Sequence, residues 1–144
     1  MLAENTVLTG RRAITRSYAK INLTLDVLSK RENGYHDIKM IMQTVSLFDL
    51  ILVDKTHRGI SISTNLPYLP CNEKNIAYKA ADAFFKATGI RSGAKIVIHK
   101  NIPVAAGLAG GSGNCAAVLT AINMLHGNPL SNDELMHIGA SLGA

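Results

Sequence analysis

The segment Pro103-Val104-Ala105-Ala106-Gly107-Leu108-Ala109-Gly110-Gly111-Ser112-Gly113 concentrates the residue types that can hold a phosphate. Residues this small let the backbone approach a ligand closely, and backbone N–H groups then point into a concave surface. The loop feeds a helix, whose first turn carries unpaired N–H groups and the positive end of the macrodipole. Ser112 adds a hydroxyl for a phosphate oxygen or for a magnesium-bound water. The competing reading is a flexible turn whose glycines serve close packing. No Gly-Lys-Ser/Thr is present, so the loop is not a Walker A motif. Gly111-x-Gly113-x-x-Ala116 has the spacing of a dinucleotide fingerprint. That fingerprint opens directly after a strand, and here a loop of about a dozen residues intervenes after His99.

Other candidates are sparser. Lys20 and Asn22 stand two apart in an alternating run, so one strand face presents both to the same place. Tyr35 and His36 follow Asn33-Gly34, a tight-turn dipeptide. Glu134-x-x-His137 is the one metal-like spacing and reads as a solvated helix face. Cys71 and Cys115 have no Cys-x-x-Cys partner and read as free thiols in a reducing cytosol. The formal charge of +5 favours anionic partners without choosing among nucleotide, nucleic acid and acidic lipid. Residues 102–122 carry no charge, a run long enough to span a bilayer, and Gly107-x-x-x-Gly111 mimics a membrane packing motif. Pro103 and four glycines interrupt that run, so a loop leading into a soluble core helix is expected instead.

The elements that must position these residues follow from periodicity. With 144 residues, 47% hydrophobic and 17% charged, the chain suits one ordered domain and excludes a disordered one. Residues 1–15 show no period and read as a loose leader; they hold Glu4, Arg11 and Arg12 and no apolar run, so a cytoplasmic chain without a secretory signal is expected. Ser17–Leu28 alternates, with Ala19, Ile21, Leu23, Leu25 and Val27 on one face and Lys20, Asn22, Thr24 and Asp26 on the other. Residues 38–45 form the returning strand, and Leu50–Val53 and Gly59–Thr64 two short ones. Asn75 caps a helix to about Thr88, with Ile76, Ala80, Phe84 and Ala87 inward and Gly89 as the stop. Ala94–His99 reads as a strand, Lys100–Gly111 as loop and Ser112–His126 as a helix. Ser131-x-x-Glu134 is a capping box opening a last helix through Leu142. This order is α+β rather than a regular βαβ alternation.

Pro-x-x-x-Gly-Leu-Ala-Gly-Gly-Ser resembles the nucleotide-binding loop of the GHMP kinases. Ser17-Tyr-Ala-Lys-Ile-Asn-Leu23 is similar to the first strand of the branch that acts on 4-diphosphocytidyl-2-C-methyl-D-erythritol, and Asn33-Gly-Tyr-His36 to its Gly-Tyr-His turn. The three segments keep that branch's order and spacing, and the resemblance covers residues 16–144. It implies a GHMP kinase N-terminal domain at 16–144, similar to ribosomal protein S5 domain 2, with a mixed or antiparallel sheet packed with helices. It implies ATP and Mg2+, with transfer of a phosphoryl group to the 2-hydroxyl of the methylerythritol unit in non-mevalonate isoprenoid synthesis. Lys20 matches the catalytic lysine, stabilising the transferring group or orienting the hydroxyl. Asn22 matches a substrate contact, Tyr35 the ring that stacks on cytosine and His36 the group that hydrogen-bonds the base edge. Asn75 matches a position near adenine and is a helix cap as well. Residues 103–113 match the ATP loop, with Ser112 touching the metal only indirectly.

The resemblance also implies a general-base aspartate directly after Leu-Gly-Ala, and here Ser141-Leu-Gly-Ala144 closes the sequence before it and before a second domain. Little or no activity is therefore expected of this chain alone. Gly113 replaces the family's Ser or Ala and is expected to loosen the helix start. Three readings follow: a kinase segment, a nucleotide-binding module completed by a separate C-terminal chain, or an S5-like module that binds RNA. Scattered Lys and Arg, without a stripe interleaved with aromatics, weigh against RNA. No membrane partner is expected.

Overall fold

Alternating Ile, Val and Ala build a single sheet whose inner face takes the helices. The computed structural model describes residues 3–144. The strands are β1 (Thr6–Thr9), β2 (Arg12–Lys30), β3 (His36–Thr56), β4 (Gly59–Thr64) and β5 (Gly93–His99). Their order across the sheet is β1-β2-β3-β5-β4, antiparallel except for β4 with β5. A parallel pair needs a crossover, and α1 (Ile76–Thr88) supplies it. Helices α2 (Gly110–Leu125) and α3 (Asn132–Ser141) close the chain. The fold is α+β, a mixed five-stranded sheet packed with three helices.

The core lies between sheet and helices. Ile51 pairs with Ile98 and Val53 with Ile96, and all four are buried against Phe84 of α1 and Val118, Leu119 and Ile122 of α2. Helix α1 begins and ends as its sequence dictates. The Asn75 side chain accepts from Ala77 N at 2.9 Å, and Gly89 stops the helix in the left-handed region at φ 68°. Its inward face is Ala77, Ala80, Ala81 and Phe84, whereas Ala87 is exposed and Ile76 half-buried. The capping box at Ser131 and Glu134 is present with both of its hydrogen bonds.

Four expectations change. Residues 6–15 of the expected leader are sheet: β1 pairs with β2 across the turn at Gly10-Arg11, and Ala13 and Thr15 are buried. The Thr6 and Thr15 hydroxyls bond at 2.9 Å there, a cross-strand pairing that leaves no apolar period to read. Residues 1–2 lie outside the described residues. The strands expected at 38–45 and 50–53 are one continuous β3, because β2 pairs along both segments. Helix α2 starts at Gly110, two residues before Ser112, since tertiary packing overrides poor glycine propensity. Finally, β2 is buried only as far as Ala19, and Ile21 to Lys30 are exposed on both faces. Register shifts between Asn22 and Thr24 and between Val27 and Ser29 break the expected single polar face. Asn22 pairs with Met42 and Thr24 with Ile41, neighbours that point to opposite faces.

The uncharged run at 102–122 divides between a loop and α2. Among the described residues no helix is long and apolar enough to cross a membrane. The two thiols are free and differ in setting: Cys71 is exposed, and burial pushes the Cys115 thiol up to about 11. Because the thiolate is the nucleophile, a disulfide reagent at pH 8 should titrate one thiol in the folded chain and the second only after denaturation. Two fast equivalents without denaturant would contradict this packing of α2.

Candidate functional site

The loop between β5 and α2 walls a cleft of about 510 Å³. Its opposite side is made by Thr64, Leu69, Pro70, Lys74, Asn75 and Ile98, and Lys100 and Asn114 line it near the loop's ends. All residues from Pro103 to Ser112 border the cleft, and Gly113 does not.

The loop backbone is shaped by three left-handed residues: Ala105 at φ 59°, Gly107 at φ 73° and Ala109 at φ 61°. Only the glycine adopts this region without steric cost, so both alanines hold local strain of order 1–3 kcal/mol each. Ala109 is the N-cap of α2 and offers no side-chain cap. The N–H groups of Gly110, Gly111 and Ser112 are therefore left without a capping acceptor at the positive end of the helix. That arrangement can receive an anion such as a phosphate.

The glycines of the loop serve different ends. A Cβ on Gly111 would meet nothing within 4 Å, so space beside that backbone is open to a ligand. A Cβ on Gly110 would stand 3.1 Å from both Ile102 Cγ2 and Lys100 Nζ. A Cβ on Gly113 would stand 2.5 Å from Ser17 Oγ on β2. Gly113 thus sits where α2 presses on the sheet, and Gly113 N donates to Ala109 O at 2.8 Å.

Lys20 joins this site through the backbone. Lys20 N donates to Leu108 O at 3.1 Å, tying β2 to the loop, and Lys20 Nζ donates to Asn22 Oδ1 at 3.2 Å. Lys20 and Asn22 therefore share one face beside the loop. Asn75 lies in the cleft wall with its amide engaged at both ends, since Nδ2 donates to Pro70 O at 2.9 Å while Oδ1 caps α1. One N–H of that amide remains for a ligand. Tyr35 and His36 are not brought to Lys20. They lie exposed at the tip of the β2–β3 hairpin, where His36 pairs with Lys30, roughly 33 Å along the strand from Lys20. No cluster of three or more His, Cys, Asp and Glu side chains that could hold a metal occurs among the described residues.

Residues 75–144 match the family model described as the GHMP kinases N terminal domain. The chain carries the N-terminal domain of the GHMP kinases. It is 50% identical over 129 residues to 4-diphosphocytidyl-2-C-methyl-D-erythritol kinase of Clostridium botulinum (strain Alaska E43 / Type E3), covering 90% of this chain and 46% of that one. It is 51% identical over 132 residues to the enzyme of the same name from Caldicellulosiruptor saccharolyticus, with coverage of 91% and 46%. A crystal structure of 4-(cytidine 5'-diphospho)-2C-methyl-D-erythritol kinase superposes with a TM-score of 0.79 at 34% identity, over 91% of this chain and 46% of that one. Homoserine kinase from Cytophaga hutchinsonii shares the fold at a TM-score of 0.75 and 20% identity, over 94% and 42%. The chain spans about half the length of the curated relatives it matches.

Several residues that build the cleft escape a motif reading. Asn65 clamps the loop stem, accepting from Lys100 N at 2.7 Å and donating to Lys100 O at 3.1 Å. Lys100 pairs with the fully buried Asp49. The one legible signal was an acid set in an apolar strand run, Phe48-Asp49-Leu50-Ile51.

The Ser17–Gly113 contact carries a test. Ser17 Oγ is buried without a hydrogen-bond partner among the described residues, so Ser17→Ala should stabilise the chain by about 1 kcal/mol. Gly113→Ala alone should destabilise by roughly 1 kcal/mol, through the steric clash with that hydroxyl. In the Ser17→Ala background the same change should become neutral or stabilising, as Ala favours helix over Gly by up to about 1 kcal/mol. Urea denaturation of the four proteins reads the coupling, and additive effects would remove the contact as the reason for Gly113.

Proposed function

We propose that this chain binds ATP in the cleft at the start of α2 and forms the nucleotide half of a kinase acting on 4-diphosphocytidyl-2-C-methyl-D-erythritol. The observation that supports this most is the uncapped turn Gly110–Ser112 opening on the cleft beside Lys20, whose backbone is bonded to the same loop. The relatives at about 50% identity bear that enzyme's name. They offer the RNA reading no support.

The phosphates of ATP would lie against the backbone of residues 103–112, close to Gly111, with the adenosine toward Asn75 and Pro70. The substrate 2-hydroxyl attacks the γ-phosphorus, the bond to the β-phosphate oxygen breaks, and ADP leaves. Lys20 holds its ammonium near the developing charge on the transferring group, and Asn22 orients both Lys20 and the acceptor. Tyr35 and His36 would take the cytidine end of the substrate; at roughly 33 Å along the strand from Lys20 they lie beyond the span of one extended substrate molecule, so this role requires the exposed arm of the β2–β3 hairpin to bend toward the loop. Mg2+, when bound with the nucleotide, would neutralise phosphate charge, and Ser112 would meet it through its water shell. Among the described residues none of the cleft-lining side chains is a carboxylate. The proton acceptor is therefore outside this set, and a missing general base costs on the order of 10²–10⁴ in rate.

Calorimetry with Mg-ATP and an assay for ADP release with the cytidine diphosphate methylerythritol substrate test the reading. ATP should bind, with slow substrate-dependent release; a chain that binds no ATP while folded would overturn it. Gly111→Ala should weaken ATP at least about tenfold without loss of stability, because its Cβ enters only the ligand's space. Where turnover is measurable, Lys20→Ala should cut the rate by on the order of 10²–10³ with ATP affinity little changed. Tyr35→Ala should weaken the cytidine substrate alone; unchanged substrate affinity would remove its stacking role.

A further inference from the structure

We infer that Asp49 is a positioning residue for the nucleotide loop, acting on ATP without touching it; this rests on the nucleotide reading of the cleft. Asp49 lies on β3, fully buried, and does not line the cleft. Its carboxylate gathers donors from both ends of the loop. At the entry, Asp49 Oδ1 accepts from Asn101 N at 2.7 Å and Ile102 N at 2.8 Å, and Oδ2 pairs with Lys100 Nζ. At the exit, Asn114 of α2, in the amide orientation that satisfies all its neighbours, donates to Asp49 Oδ2 at 2.9 Å and to Gly110 O at 3.1 Å. The same amide accepts from Lys100 Nζ at 3.2 Å.

One carboxylate thus fixes where the loop leaves β5 and where it enters α2. The span from Pro103 to Ala109 hangs between these anchors and meets β2 through Leu108 O. The direction of the uncapped N–H groups at Gly110–Ser112 is set by how Gly110 and Asn114 are held. Gly110 is tightly confined as well, since a Cβ there would stand 3.1 Å from Lys100 Nζ. A misplacement of about 1 Å caused by a change far from the reacting atoms can cost about 10²-fold in rate, so loss of these anchors reaches the nucleotide although Asp49 does not.

The experiment compares this chain with Asp49→Asn and with Asp49→Asn/Lys100→Met. Three readouts are taken: Mg-ATP affinity by calorimetry, Tm, and amide hydrogen exchange at residues 103–113 and in β5. In Asp49→Asn one anchoring oxygen becomes a donor facing Lys100 and Asn114. Tm should fall by roughly 10–20 °C, as expected for a buried charge left unpaired. The double variant removes that charge and should regain most of the Tm. If Asp49 positions the loop, the double variant should still bind ATP about 10–100-fold more weakly. Exchange at residues 103–113 should be at least tenfold faster, with β5 protection restored.

Wild-type affinity in the double variant would overturn the inference and leave Asp49 as a neutraliser of Lys100. Weakened affinity with unchanged loop exchange would overturn it too, assigning the effect to Lys100 in the cleft wall. A folded wild-type chain that binds no ATP would overturn the nucleotide reading itself, and this inference with it.

Discussion

A fully buried carboxylate dictates much of what surrounds it. Removing Asp49 from water costs several kcal/mol even after relaxation, and only a full set of donors offsets that. Asp49 faces Ser17 of β2 and lies one residue outside the pairing of β3 with β5, and its donors come from beyond the end of β5. They come from Lys100, the amides of Asn101 and Ile102, and the side chain of Asn114. These groups belong to the two ends of the glycine-rich loop. Satisfying one charge therefore folds the loop over the edge of the core, and Asn65 repeats the restraint on the backbone of Lys100.

With its ends fixed, the loop need not be intrinsically rigid. Ala105 and Ala109 sit in the left-handed region, where alanine is strained, and the surrounding anchors keep them there. The result is a helix start with no cap of its own and an open surface at Gly111. Packing and ligand access are divided among the glycines: 110 and 113 let the chain pass close to Lys100 and Ser17, while 111 faces empty space. A small residue is needed at all three for unlike reasons.

The hairpin of β2 and β3 follows a different rule. Up to Ala19 it lies under α2, and beyond that point both faces meet water. Leu23, Leu25, Val27 and Met42 are all at least half exposed there. Cross-strand pairing and three register shifts, not burial, keep this arm in shape. It carries the turn with Tyr35 and His36 away from Lys20.

The sequence by itself determined the local chemistry. Asn75, Gly89, Ser131 and Glu134 declare helix ends because capping is satisfied within a few residues of chain. The glycine-rich loop and the Lys20–Asn22 face were legible for the same reason: small residues and period-2 spacing act locally. The continuity of β3, the strand at residues 6–9 and the exposure of β2 past Ala19 were not, since each depends on what lies across a strand pair or over a sheet face. Nor was the start of α2 at Gly110, where packing against Ile102 and Lys100 outweighs propensity. Above all, Asp49 and Lys100 stand 51 positions apart, with Asn114 farther along still. Only the tertiary fold brings them together, because a charge excluded from water must find its partners in space, whatever their distance along the chain.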